Sequence, residues 1–162
     1  MLEPGVQSAV RPIWHPALQA MAFDANRDLG SRTSRRTRIV LVEDDPEIGM
    51  MYRLQLESDG YEIHHATDGR DGLALIRSLK PDLVLCDLRL PGFDGFEILA
   101  RVRADSQLSS VPLVIVSNFG DPDMIRKARE LGALDYVVKS RTLPDSLSQR
   151  IPSWVRGDAS LQ

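Results

Sequence analysis

A chain of 162 residues, 43% hydrophobic and 27% charged with a formal net charge of −3, fits one ordinary globular domain with a short appendage. No apolar run approaches the roughly 18 residues of a membrane span, and the opening MLEPGVQSAVRPIWHP is too broken by polar residues and prolines for a signal core. A single cysteine, Cys86, excludes an internal disulfide, so a cytoplasmic setting is expected.

Charge is uneven along the chain. Residues 1–38 hold six arginines against three acids, and the remainder holds 14 basic against 20 acidic residues. The acidic body argues against a general nucleic-acid surface, and no sequence-specific nucleic-acid binding and no membrane contact are expected. The run SRTSRRTR, residues 31–38, lacks aromatic interleaving and helical periodicity and reads as a solvated linker. Residues 1–36 are too sparse in apolar side chains for a core of their own. They read as an N-terminal arm, partly disordered or with one short helix around PALQAMAFDANRDLG, and are expected to be dispensable for the stability and the chemistry of the body that follows.

From Arg38 onward strand-like and helix-like segments alternate. IVLV (39–42) is a β-branched apolar run. DPEIGMMYRLQLESDG then opens with Asp45 as cap and Pro46 at the first helical position, with Ile48, Tyr52 and Leu56 on one face. YEIHHA (61–66) alternates as an edge strand would. A second helix, DGRDGLALIRSLK, places Leu75, Ile76 and Leu79 inward and ends at Pro81.

LVLC (83–86) has no polar alternation and reads as a parallel strand covered on both faces. FEILARVRAD packs Phe96, Leu99 and Val102, and PLVIV (112–116) is another buried strand. DPDMIRKARELG follows with Ile125, Ala128 and Leu131 on one side, then LDYVV (134–138) as the fifth strand. The last helix presents Leu143, Leu147 and Ile151, with Pro152 expected to kink or end it and Trp154 expected only to cover it. Five strands alternating with five helices predict a doubly wound parallel sheet with helices on both faces over 37–158, and a tail at 159–162.

In open parallel sheets chemistry gathers beyond the carboxyl ends of the strands. The first strand delivers Glu43, Asp44 and Asp45 there, the third Asp87, the fourth Ser117 and Asn118, the fifth Lys139. Carboxylates from two neighbouring strands form an oxygen site for a hard divalent cation, Mg2+ foremost. Lysine and hydroxyl suit an anion beside it. An aspartate at the end of a buried strand is costly unless a cation compensates it; beside Mg2+ and lysine it can attack phosphorus and become an aspartyl phosphate.

The segments IVLVEDD, PDLVLCDLRLPGFDG, VIVSN and GALDYVVK, in this order, resemble the response-regulator receiver domain of two-component signalling. The resemblance implies a flavodoxin-like five-stranded sheet of order 2-1-3-4-5, an order of which a receiver protein is itself a standard example. It implies that Asp87 is the phosphoacceptor. It makes Asp44 a direct metal ligand and Glu43 one acting through water, with the backbone carbonyl of Arg89 as a further ligand. Ser117, Asn118 and Lys139 would contact the phosphoryl group, and Ser117 and Tyr136 would form the switch. The donor would be a histidine kinase or a histidine phosphotransfer protein, and the readout contact with another protein rather than an enzymatic activity of its own.

Two positions depart from the family pattern. Asn118 stands where a small residue usually follows the hydroxyl, which narrows access to the site. Ser140 stands where proline usually follows the lysine, so a trans Lys139–Ser140 bond is expected, cis costing about 2.5–4 kcal/mol before a non-proline residue.

Plainer readings stay open at this stage. The acids 43–45 also suit a helix N-terminus, with Asp45 competing for a place in the metal pair. Ser117 also suits a helix cap, and Tyr136 an edge-strand aromatic. His15, His64 and His65 have no partners at metal-ligand spacing and suit surface or packing roles, and Cys86 reads as a small buried hydrophobe. A haloacid-dehalogenase phosphotransferase needs a second aspartate where Arg89 stands. A Rossmann nucleotide site needs a glycine-rich loop where EDDPEIG stands. A degenerate receiver acting as scaffold, or a receiver fragment of a larger regulator, keeps the fold.

Overall fold

The computed structural model describes residues 35–158; the expected arm at 1–36, with Trp14 and His15, and the tail at 159–162 fall almost wholly outside the described residues. Strands β1 (Arg38–Val42), β2 (Glu62–Ala66), β3 (Leu83–Cys86), β4 (Leu113–Ser117) and β5 (Asp135–Val138) form one sheet of order β2-β1-β3-β4-β5. Every neighbouring pair is parallel. Between them run helices α1 (Pro46–Ser58), α2 (Gly69–Leu79), α3 (Gly95–Ala104), α4 (Pro122–Glu130) and α5 (Pro144–Val155). This is the doubly wound flavodoxin-like topology expected from the sequence.

Period-two alternation divides the strands between two cores. Val40, Val42, Val84, Cys86, Leu113 and Ile115 face one way and meet Leu73 and Ile76 of α2, Ile98, Leu99 and Val102 of α3, and Ala128 of α4. Ile39, Leu41, Leu83, Leu85, Val114 and Val116 face the other way, onto Tyr52 and Leu56 of α1 and Leu147, Ile151 and Trp154 of α5. Covered on both faces, β3 and β4 are buried throughout, whereas the edge strand β2 is mostly half-buried.

Helix starts follow the acids that precede them. The Asp45 carboxylate accepts from the amides of Glu47 and Ile48, Asp68 from Arg70 and Asp71, and Asp121 from Asp123. Asp94 and Glu97 form a reciprocal capping box at α3. These caps fix where each helix leaves the sheet, and so where the loops at the strands' carboxyl ends sit.

Three expectations at the C-terminus need correction. Leu143 is 72% exposed, because it is the residue preceding α5 rather than part of its apolar face. Pro152 does not end α5, which runs through it to Val155. The proline itself is exposed, while Ile151 and Trp154 on either side are fully buried and hold the turn against the sheet. Trp154 is therefore core, not cover, and its indole Nε1 donates to Asp135 Oδ2 at 2.8 Å. In α2 the fully inward residues are Leu73 and Ile76, with Leu75 and Leu79 packed at the margin. In α3 Ile98 joins Leu99 and Val102, and Phe96 is marginal.

The loop from Asp87 to Asp94 is set by a close approach. A Cβ on Gly95 would lie 2.3 Å from the carbonyl oxygen of Asp87, and the Gly95 amide donates to Leu88 O at 2.9 Å. Gly95→Ala must push this loop off its seat, which is expected to cost about 1–3 kcal/mol, as other overpacking changes do. Urea unfolding of the variant checks it; an unchanged midpoint would mean that the loop yields freely.

Candidate functional site: an acid cluster closed by a lysine

β1 and β3 are neighbours, so their carboxyl ends bring Glu43, Asp44 and Asp87 together. Their carboxylate oxygens lie within 4.8 Å of one another. The backbone here is pinned: Asp87 N donates to Val42 O at 2.9 Å, Glu43 N to Ala66 O at 3.0 Å, and the His65 Nε2 lies 2.8 Å from Glu43 O. Glu43 and Asp87 are 2% and 8% exposed, and Asp44 is open to solvent. Asp45 is engaged in capping α1 and stands outside this cluster.

Lys139, at the start of a 3-10 turn after β5, reaches across the sheet. Its ammonium donates to Asp87 Oδ2 at 2.7 Å and to Glu43 Oε2. Asp87 Oδ1 accepts from the Leu88 amide at 2.6 Å, so both oxygens are engaged. Burial pushes the Glu43 carboxyl above its usual range, and the neighbouring Lys139 only partly offsets this. Burial pulls the Lys139 ammonium down, but the bonds to Asp87 and Glu43 outweigh it, and the net shift is upward. Lys139 is thus held charged. Cys86 is fully buried and its thiol pushed well up, chiefly by burial and then by Asp87, which makes it an inert small hydrophobe.

No peptide bond among the described residues is cis, so Lys139–Ser140 is trans as expected, and the lysine still reaches Asp87. Ser117 is fully buried and its Oγ accepts from the Phe119 amide at 3.2 Å. Asp121, not Ser117, caps α4. The Tyr136 ring is buried, and its hydroxyl donates to Phe119 O at 2.6 Å. Arg89, Asn118 and Phe119 line one cavity with Glu43, Asp44, Asp87 and Lys139.

Two contacts of the site have no counterpart in the sequence pattern. His65, for which the sequence supports only a surface or packing role, holds the Glu43 carbonyl from the neighbouring strand. Phe119 carries the carbonyl that accepts from Tyr136 and a ring that lies under Arg89. Neither has a sequence signal, because both depend on which strands and loops become neighbours.

The sequence profile of the response regulator receiver domain matches residues 39–151. The chain belongs to this family. As a receiver domain, it is similar to the DNA-binding dual master transcriptional regulator RpaA of Synechocystis sp., with 34% identity covering 69% of this chain and 46% of that protein. It is also similar to sporulation initiation phosphotransferase F of Bacillus subtilis, with 33% identity over 63% of this chain and 81% of that one. The chain spans about half the length of RpaA and of the transcriptional regulatory protein AfsQ1 of Streptomyces coelicolor.

Among solved structures, the chemotaxis response regulator CheY4 of Vibrio cholerae superposes with a TM-score of 0.69 at 27% identity, over 74% of this chain and 99% of CheY4. The BeF3-activated N-terminal receiver domain of RstA from Klebsiella pneumoniae gives 0.68 at 32% identity, over 74% and 98%. Receiver domains are in general phosphoacceptor signalling domains rather than dedicated enzymes. Among the described residues no helix is long and apolar enough to cross a membrane.

Proposed function

We propose that this receiver accepts a phosphoryl group on Asp87 from a histidine kinase or a histidine phosphotransfer protein in the cytoplasm, and signals the change by contact with another protein. The observation that carries the reading is the Lys139 ammonium 2.7 Å from Asp87 Oδ2, inside a cluster of three carboxylates. An Asp87 oxygen forms the new bond to phosphorus while the bond from phosphorus to the donor's histidine nitrogen breaks, and the nitrogen keeps the electron pair. The leaving imidazole takes a proton from solvent, and a carboxylate nucleophile carries no proton to remove, so no general base is needed. What the protein must supply is position and positive charge.

The donor set fits a hard divalent cation: three carboxylates whose ligand atoms lie within 4.8 Å, two held on pinned strand ends. Glu43, Asp44, Asp87 and the Arg89 carbonyl would hold Mg2+, which when bound supplies charge neutralisation at the acceptor oxygen. Lys139 holds the acceptor oriented and screens it from Glu43. Ser117 and Asn118 would contact the phosphoryl group together with Lys139. Mg2+ binds only the folded site, so it is expected to raise the thermal midpoint with the logarithm of its concentration above Kd. Asp44→Asn should lose that shift; a midpoint equally Mg2+-sensitive in the variant would remove Asp44 from the site.

The switch is proposed to run from Ser117 through Tyr136 to the surface of α4, β5 and α5. Tyr136 is tied to the Phe119 carbonyl in the β4–α4 loop, two residues after Ser117, so a pull on Ser117 is felt by both. With Mg2+ and beryllofluoride, amide exchange is expected to change in β5 and the β4–α4 loop. Changes limited to α1 and α2 would contradict this route. The DNA-binding named for RpaA belongs to that longer protein, and no nucleic-acid contact is assigned to this chain.

A further inference from the structure

Near an acid cluster an exposed arginine normally finds a carboxylate. The Arg89 guanidinium does not: among the described residues its side chain makes neither an ion pair nor a hydrogen bond, and it lies on the Phe119 ring, 4.1 Å from the centroid. This stack bridges the β3–α3 loop to the β4–α4 loop. It also forms the wall between two hollows. On one side is the cavity of Glu43, Asp44, Asp87, Asn118 and Lys139. On the other is a largely apolar groove of Leu88, Leu90, Pro91, Phe96 and Met124 that Asp94 also lines, and Asp44, Arg89 and Phe119 line both.

Charge balance says what this cation is for. Glu43, Asp44 and Asp87 face the one ammonium of Lys139, an excess a divalent cation would cancel. Phosphorylating Asp87 to an acyl phosphate removes its own charge but brings about −1.5 to −2 on three strong acceptor oxygens. Lys139 and the cation then leave about half to one negative charge over. Arg89 is two residues from the acceptor, lines the same cavity, and is not committed to another anion. Its hold on the half-buried Phe119 ring is a single cation–π contact, whereas a guanidinium binds phosphoryl oxygens through a planar fork of donors.

We propose that the Arg89 side chain is a second phosphoryl-binding group beside Lys139, kept on the Phe119 ring until the phosphoryl group is present. This rests on the reading of Asp87 as phosphoacceptor. The Phe119 ring is then a competitor: it holds the cation away from the anion and lowers the site's affinity for it.

The test is a beryllofluoride titration of the full chain in Mg2+, followed by fluorine NMR of the bound species. Arg89→Ala, which keeps the backbone carbonyl, is expected to bind about tenfold more weakly, the effect of losing a charged hydrogen bond. Phe119→Leu keeps apolar bulk but removes the ring face, and is expected to bind about two- to fivefold more tightly, the equivalent of the stack it abolishes. The double variant should match Arg89→Ala alone, since Phe119 acts only through the arginine. Arg89→Ala binding like the unaltered protein, or Phe119→Leu weakening in parallel with it, overturns the proposal. Beryllofluoride bound equally by Asp87→Asn would instead strike the phosphoacceptor reading beneath it.

Discussion

Trp154→Ala is expected to destabilise the domain by about 3–5 kcal/mol, the usual cost of deleting a large aromatic from a core. The indole is fully buried among Ile39, Leu83, Val114 and Val137 on the α1/α5 side of the sheet. It also donates a hydrogen bond to a buried acid. Asp135 is 2% exposed and its Oδ2 accepts from Trp154 Nε1 and from Arg150, whose guanidinium stacks 4.8 Å above the indole. Trp154→Phe separates the two contributions. It keeps most of the volume and leaves Asp135 its bonds from Arg150 and the Tyr136 amide, so it should cost only about 1–2 kcal/mol. Urea unfolding of both variants decides. A Trp154→Ala loss below about 1 kcal/mol would mean that α5 does not depend on this anchor.

Lys139→Met is expected to cost a similar amount, but in a way that Mg2+ partly reverses. The lysine is the cation shared by Glu43 and Asp87, and breaking a buried pair by removing one partner costs about 3–5 kcal/mol. The lower end is expected, because burial already holds Glu43 towards its protonated form, and the variant can take up a proton there instead of keeping two bare charges. Mg2+ should recover much of the loss, since it substitutes for the missing positive charge at the same oxygens. The unaltered protein gains less from Mg2+, because there the cation must share those carboxylates with Lys139. Thermal unfolding with and without Mg2+ reads both effects. A Mg2+ shift no larger in Lys139→Met than in the unaltered protein would mean that the lysine and the cation do not compete.

How much of this is legible in the sequence depends on how local the cause is. The continuous apolar runs at 39–42, 83–86 and 112–116 announce strands covered on both faces, and Asp45-Pro46 announces a helix start, because capping is settled within four residues. The strand-end acids and Lys139 are legible too, since the topology rule says where strand ends meet. The C-terminus is not. Leu143 fits the apolar spacing of α5 yet lies one residue ahead of it, and Pro152 breaks a helix only when nothing holds the next turn. Here Trp154 holds it through Asp135, nineteen positions earlier and on another element. His65 on Glu43 and Arg89 on Phe119 are of the same kind. Each is a contact between segments that only the finished sheet brings together, so periodicity carries no trace of it.

The central claim is that Asp87 receives the phosphoryl group, and the most direct measurement is the intact mass of the protein after incubation with acetyl phosphate. With Mg2+ the unaltered chain is predicted to gain the mass of one phosphoryl group, while Asp87→Asn under the same conditions, and the unaltered chain in EDTA, gain none. A single phosphoryl gain that persists in Asp87→Asn, or labelling indifferent to EDTA, would contradict the assignment of Asp87 and of the acid cluster around it.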